Sequence, residues 1–329
     1  MNIRNILQTA PRRLENASQE KRIALIYAGI TTGAAVLVTF LSYVLDLRIS
    51  QLGGLSTMSQ RSILETIQSI LPTAQMVVLM CLELGYVNAM LRFAREQYAS
   101  PQSLRLGFAR FGSLIRATIL ESLIYMAVGM ASFFAAAQIY LFTPYADRLV
   151  EILGPYTNSL ISLSSTPMLD EAVQMQAVTA MIPLFVIFGV LALALFLPIH
   201  YQYRMVKYVI IDNPGIGGIA ALRASRKIMR RNRFRLFQLD LGLWWYHLIC
   251  LAAMGVCYGD TILALLGIPV NIHPDVLFYS FYAAYLAIQF VVCIFLRSRV
   301  EVSYALAYEA LRPKPQQTGE VVLGNIFQM

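Results

Sequence analysis

The sequence predicts an all-α, polytopic membrane protein with six transmembrane helices and two further amphipathic helices at the membrane interface. Of its 329 residues, 58% are hydrophobic and only 13% are charged, whereas about 25% of the residues of a soluble domain carry charge. Several apolar runs exceed the roughly 18 residues that indicate a membrane-crossing helix, and the mean hydropathy is +0.61. A soluble protein with fully buried helices does not account for such runs.

Apolar runs separated by polar segments define the predicted spans. The second run is longer than the roughly 20 residues that a bilayer requires, so we expect it to tilt, or to kink at Pro72. Gly29, Gly33 and Ala34 place small residues on one face of the first span and predict close helix packing there. We assign residues 1–22 to an N-terminal segment, 23–296 to one membrane domain and 297–329 to a tail, with spans over 23–45, 63–91, 114–141, 177–198, 234–258 and 276–296.

The first predicted amphipathic helix lies between the second and third spans. It follows Ser100 and Pro101, a capping residue and a proline suited to the first helical position. Apolar residues then recur at helical spacing, with arginines off that stripe, which is typical of a helix lying in the membrane interface. The stripe consists of Leu104, Phe108, Phe111 and Ile115.

The second amphipathic helix is predicted after Asn213 and Pro214, which look like its cap and first residue. At 100° per residue, its basic side chains occupy an arc of about 140°, opposite an apolar side. Each basic residue near anionic headgroups contributes about 1 kcal/mol of attraction. Two interpretations remain open, specific docking of an anionic lipid or partner protein, and simple positive-inside anchoring. The candidate surface consists of Arg223, Arg226, Lys227, Arg230 and Arg231.

Lysine and arginine are distributed unevenly between the two sides of the predicted membrane domain. With six spans, the side that holds both termini and both amphipathic segments carries 23 of the 26 basic residues, and only Arg48, Arg61 and Arg148 lie opposite. Because this bias sets orientation, both termini are predicted to be cytoplasmic. The same bias explains the net charge of +8, so we expect no nucleic-acid partner.

Three acids lie within the predicted spans, namely Glu83, Glu121 and Asp240. A charge in mid-membrane costs at least about 2.5–3.5 kcal/mol, so such side chains face the bundle interior and usually pair. One interpretation is a cytoplasm-facing polar cavity that binds a cation, a proton or a cationic substrate. The other is structural pairing with an arginine at the same depth, the candidates being Arg92, Arg116, Arg204 and Arg297.

The sequence contains no pattern typical of an enzyme or a metal site. Its histidines, His200, His247 and His273, form no HExxH pair, and no Ser-His-Asp order is found. The four cysteines lie in or beside apolar runs without CxxC spacing and are interpreted as reduced packing residues. We therefore expect no catalytic activity, no metal and no cofactor.

Several segments together point to a known family. In the second half these are a basic, Tyr-rich span end with an Asn-Pro turn (PIHYQYRMVKYVIIDNPGIG), the helix ALRASRKIMRRN and the span start RLFQLDLGLWW. The first half adds LELGYVNAMLRFAREQ and LRLGFARFGSLI, and the C-terminal part adds VEVSYALAYEAL. These segments resemble bacterial membrane proteins of the family called domain of unknown function 975. The resemblance implies a multi-span protein of the bacterial cell membrane with cytoplasmic termini, and it implies no particular activity.

Three function classes follow from these observations. The first is a non-enzymatic scaffold or accessory subunit of a membrane transport or envelope system, in contact with anionic inner-leaflet lipids and a membrane-protein partner. The alternative is a small transporter or lipid-handling protein that uses Glu83, Glu121 and Asp240. An intramembrane enzyme is the third class and has the least support from the residues.

Overall fold

The computed structural model describes residues 2–52, 58–156, 170–266, 268 and 272–312, and all regular elements among these residues are helical. A 3-10 turn (Pro101–Arg105) precedes α4, and a π-helical turn (Cys293–Arg297) joins the last two helices. In chain order the helices are α1 (Ile3–Glu15), α2 (Glu20–Gln51), α3 (Met58–Ala94), α4 (Leu106–Ala109), α5 (Phe111–Leu141), α6 (Pro144–Leu153), α7 (Glu171–Tyr203), α8 (Val206–Asp212), α9 (Gly218–Met229), α10 (Arg233–Gly242), α11 (Trp244–Cys257), α12 (Gly259–Leu265), α13 (Pro274–Val292) and α14 (Ser298–Leu311).

Five helical stretches in the described part of the chain are long and apolar enough to cross a membrane. A sixth is obtained if α10 and α11, which are bent by 69° relative to each other, count as one span. The predicted fifth span, residues 234–258, is therefore not one continuous helix. Gly242 ends α10 and has little helix propensity. Leu7 of α1 also packs so close that a side chain at Gly242 would meet its Cδ1 at 2.7 Å.

Three of the crossing stretches have at least 37 residues and are much longer than a bilayer is thick, and α3 and the C-terminal stretch are two of them. α3 has 37 residues, and the stretch Pro274–Leu311 has 38. At 1.5 Å per residue each measures about 55 Å, against a hydrocarbon core of about 30 Å. The last helix thus continues well past residue 296, where the sequence analysis ended the sixth span. The excess length forms a body of packed helix ends.

The described residues up to Ile115 and from Met205 onwards form one compact unit. Its core lies where the C-terminal half of α3 packs against α8 and α14. Tyr86, Met90, Ile210 and Tyr304 are completely or almost completely buried there. In contrast, α2 and the first half of α3 expose many large apolar side chains, as expected of surfaces that face lipid.

Two glycines allow backbones to touch within this unit. A methyl group at Gly85 of α3 would overlap the backbone of Leu104, and one at Gly107 would overlap the backbone of Cys81. The two segments that resemble the family in the first half of the chain therefore pack directly against each other. The close packing predicted at Gly29 and Gly33 is wrong, because an added Cβ at either position meets nothing within 4 Å among the described residues.

Residues Arg116–Arg204 form the second compact unit. In it α6 packs against α7, around a small apolar core that includes Ala136, Tyr140 and Leu184. The hydroxyl of Tyr140 donates to the carbonyl oxygen of Ala180 at 2.9 Å and to that of Tyr145 at 3.0 Å. These bonds tie the end of α5 to both following helices.

The first predicted amphipathic helix differs from expectation. Ser100 and Pro101 do begin a helical turn, but a 3-10 turn and the single-turn α4 replace a continuous helix before α5 begins at Phe111. Leu104 is buried, whereas Phe108 and Phe111 are exposed, so the predicted apolar stripe does not face one way. The backbone contacts of Leu104 and Gly107 with α3 decide this path, and side-chain spacing could not indicate them.

A helix is present where the second one was predicted, as α9, but it begins at Gly218 and not at Asn213. The Asn213 side chain instead donates its Nδ2 proton to the carbonyl oxygen of Val209 at 2.9 Å, which satisfies the end of the preceding helix α8. The predicted cap at Asn213 is therefore wrong. Asparagine can cap either neighbour in the chain, and tertiary packing selects which helix it serves.

Candidate functional site

Glu83 lies between two cations that come from different helices. Its Oε2 is 2.8 Å from Nζ of Lys207 in α8, and its Oε1 accepts from Nη2 of Arg297 at 3.2 Å. The carboxylate is 30% exposed, Lys207 37% and Arg297 22%. Of the two interpretations given for this acid, pairing with Arg297 is the arrangement observed. Lys207 is an additional partner that the sequence did not indicate.

Arg297 connects this acid to the first span. Its guanidinium lies over the ring of Tyr27 at 5.0 Å and over the ring of Tyr86 at 5.7 Å. The two rings stack on each other at 4.4 Å, and the Tyr86 hydroxyl lies 2.9 Å from Oγ of Ser298. Because Arg297 closes the π-helical turn, this distortion aims its side chain at α2 and α3 together. A π-turn inside an α-helix frequently occurs at functional sites.

Asp240 has its own partner, Tyr304, which lies in the same helical stretch as Arg297, Pro274–Leu311. The Tyr304 hydroxyl donates to its Oδ1 at 2.5 Å, and Tyr304 is almost completely buried. Tyr304 and Arg297 lie seven residues apart, about 10 Å along the helix at 1.5 Å per residue. Glu83 and Asp240 thus contact one helix at two levels, Glu83 through Arg297 and Asp240 through Tyr304.

Glu121 belongs to the second unit. The Tyr125 hydroxyl, one turn further along α5, donates to its Oε1 at 2.8 Å. The Tyr125 ring in turn contacts the ring of Phe196 in α7 at 4.6 Å. Glu121 therefore takes part in the packing of α5 against α7.

α9 and the two residues that follow it present their basic side chains to the outside. Ala221, Ser225 and Met229, one turn apart, are completely buried, while Arg223, Arg226, Lys227, Arg230 and Arg231 are all exposed. We call these five residues the basic face. Among the residues that the structure describes, the basic face forms no ion pair with an acid. The arc predicted from the helical period is therefore realised in the fold.

A further charged cluster consists of residues that were not among the predicted site residues. Arg95, just after α3, donates from Nη2 to both oxygens of Asp212 at 2.8 and 2.7 Å, and from Nε to Oε1 of Glu309 at 2.7 Å. Nη1 of Arg312 lies 3.3 Å from Oδ2 of Asp212, and its Nε lies 2.9 Å from Oε2 of Glu309. The Tyr308 hydroxyl donates to Oδ2 of Asp212 at 3.0 Å. This cluster joins the ends of α3, α8 and α14.

The acids of this cluster favour the charged form of Arg95. Burial by itself lowers the pKa of Arg95, but the hydrogen bonds and charges of Asp212 and Glu309 outweigh it and raise the pKa above its ordinary value.

A signal for the cluster was present in the sequence. Polar residues recur at spacings of four, three, four and four, a single helical stripe that runs past the predicted end of the sixth span, at Arg297, Glu301, Tyr304, Tyr308 and Arg312.

Long apolar helices with charged and polar contacts between their ends define a helical, membrane-embedded protein. Among the described residues, no group of three His, Cys, Asp or Glu side chains lies close enough to hold a metal ion.

The profile of the family described as "Protein of unknown function (DUF975)" matches residues 21–314, and the chain belongs to this family. No curated protein and no solved structure matches the chain significantly.

Proposed function

We propose that this protein is a non-enzymatic scaffold or accessory subunit of a membrane transport or envelope system. One observation carries the proposal. Charged side chains inside the helix bundle, such as Glu83, are engaged in contacts between helices, whereas the basic face of α9 points outward. Such an arrangement favours a rigid body that attaches to anionic headgroups and to a membrane-protein partner. It gives less support to a protein whose internal charges exchange with a substrate.

We further propose that it lies in the bacterial cell membrane with both termini in the cytoplasm. The positive-inside count of 23 of 26 basic residues supports this orientation. A second observation supports placing both ends on one side, because α1, before the first span, packs against α14, the C-terminal part of the last crossing stretch. Helices that contact each other outside the membrane require an even number of crossings between them. An even number favours six spans, with the bent pair α10 and α11 counted as one.

The orientation is tested by thiol labelling of variants that lack the native cysteines. We expect Ser59→Cys to react with a membrane-impermeant maleimide added outside spheroplasts, and Ala220→Cys to react only after the membrane is opened. Both positions are exposed on the protein, so a difference in labelling reports the side of the membrane. Labelling of Ala220→Cys from outside would overturn the orientation.

The scaffold role is tested by extracting the protein from native membranes with a lipid-preserving polymer. We expect the wild type to retain anionic lipid and a membrane-protein partner at a constant ratio, and the variant Arg223→Glu, Lys227→Glu, Arg230→Glu to lose both. A matched control reverses Arg48, Arg61 and Arg148, which changes the net charge equally at the opposite side. Unchanged co-purification in the α9 variant would refute the proposal.

A small transporter or lipid-handling protein is the second candidate. Two observations favour it, the bend within the α10–α11 pair and the π-helical turn at Arg297, since interrupted helices frequently form substrate sites in transporters. It predicts that Glu83→Gln, Glu121→Gln and Asp240→Asn together abolish solute flux or solute-induced thermal stabilisation in a protein that still folds. Flux retained by the folded variant, or a variant that cannot fold, would reject this candidate in favour of the scaffold.

A further inference from the structure

Two features fix the orientation of α9 relative to its neighbours, and a third interaction caps its end. Before the helix begins, Oγ of Ser113 donates to the carbonyl oxygen of Ile216 at 2.6 Å. Along the helix, Ala221, Ser225 and Met229 have no exposed surface. At the far end, Nδ2 of Asn232 donates to the carbonyl oxygen of Ile228 at 2.9 Å. The helix therefore cannot roll, and the positions of its outward side chains are set before any ligand binds.

Four members of the basic face form two adjacent pairs. Arg223 and Lys227 are four residues apart, and so are Arg226 and Arg230, so the members of each pair are neighbours with Cβ atoms about 5–6 Å apart. Like charges at this spacing repel and destabilise a helix. Among the described residues no acid pairs with them. The repulsion is relieved when an anion from outside the chain binds between the members of a pair.

Exposed apolar residues flank the two pairs. Ile219, one turn before Arg223, is 54% exposed, and Phe234, just after the helix, is 67% exposed. Large apolar side chains at both ends of a basic segment are typical of segments that lie at the boundary between headgroups and acyl chains. A soluble anion or a nucleic acid would make no use of them. The flanking residues therefore favour a lipid as the occupant.

We infer that the basic face binds a lipid whose single headgroup carries two phosphates, one at each cation pair. Guanidinium and ammonium groups bind phosphate oxygens through short, charge-assisted hydrogen bonds. Once one phosphate is bound at Arg223 and Lys227, the second reaches Arg226 and Arg230 within the same molecule, so its effective concentration is high. Two separate one-phosphate lipids lack this advantage. The inference rests on the proposed attachment of α9 to anionic headgroups and names the lipid class.

The test is a lipid titration of the purified full-length protein by native mass spectrometry. The probes are diphosphatidylglycerol and phosphatidylglycerol, compared at equal phosphate concentration. We expect diphosphatidylglycerol to bind at least about tenfold more tightly per phosphate. Neutralising either pair, as Arg223→Gln with Lys227→Gln or Arg226→Gln with Arg230→Gln, should abolish this preference and leave weak binding of phosphatidylglycerol.

A matched control neutralises two exposed arginines elsewhere, Arg12→Gln with Arg235→Gln, and should preserve the preference. All of these side chains are exposed, and an unchanged melting temperature verifies that each variant folds. Equal affinity of the wild type for both lipids per phosphate overturns the inference but leaves the attachment to anionic headgroups intact. Failure of the wild type to bind either lipid overturns both. Retention of the full preference by either pair variant also refutes the inference.

Discussion

Replacing Gly85 by alanine tests the backbone contact between α3 and the turn that follows it. The added Cβ would lie under 3.0 Å from three backbone atoms of Leu104. Overpacking costs about 1–3 kcal/mol, and the upper end applies here because backbone rather than a flexible side chain must move. The gain in helix propensity offsets at most about 1 kcal/mol. We therefore expect the free energy of unfolding to fall by about 2 kcal/mol.

The measurement is the melting temperature of the purified protein in one detergent. For a chain of 329 residues 1 kcal/mol corresponds to roughly 1.4 °C, so Gly85→Ala should melt about 3 °C lower. Gly33→Ala is the matched control, because nothing lies within 4 Å of its added carbon. That variant should melt at the wild-type temperature or slightly above it. Equal melting temperatures for the two variants would show that the α3 contact does not constrain the fold.

Two further predictions concern ion pairs. Arg95→Met and Asp212→Asn should each lower the free energy of unfolding. The double variant should lose less stability than the sum of the two losses, with a coupling of about 1–3 kcal/mol in a double-mutant cycle. Additive losses would mean that the contact of Arg95 with both oxygens of Asp212 contributes nothing. Glu83→Gln leaves two cations facing each other and should cost about 1–3 kcal/mol, between the values for buried and exposed pairs. Glu65→Gln, in a pair whose partners are both half exposed, should cost under about 1 kcal/mol, and an equal loss in both variants would contradict this argument.

The outward direction of the basic residues could be predicted from the sequence. Helical period alone separates Arg223, Arg226 and Arg230 from Ala221 and Met229, because both sets lie within one helix and their angular positions depend only on spacing. The structure buries the second set and exposes the first. The start of the helix could not be predicted in the same way, since Asn213 can serve either neighbouring helix and only packing selects one.

The partners of the acids could be predicted only in part. Arg297 was one of four arginines at a suitable depth for Glu83, but the two residues are 214 positions apart in the chain. Depth in the membrane reduces the number of candidate partners for Glu83, but only the arrangement of the helices decides which arginine it contacts. Lys207, Tyr304 as the partner of Asp240, and the cluster around Asp212 all depend on which helices become neighbours. No local pattern contains that information.

The sequence by itself therefore determined that this chain is a helical membrane protein with one strongly basic helix. Hydrophobicity, run length and periodicity are properties of consecutive residues, and the bilayer imposes helical structure on apolar runs of this length. Only the tertiary structure decided where backbones touch, at Gly85 and Gly107 rather than at Gly29 and Gly33. Close approach depends on the surface that the opposing segment offers, and a small residue on a helix face allows such contact without requiring it.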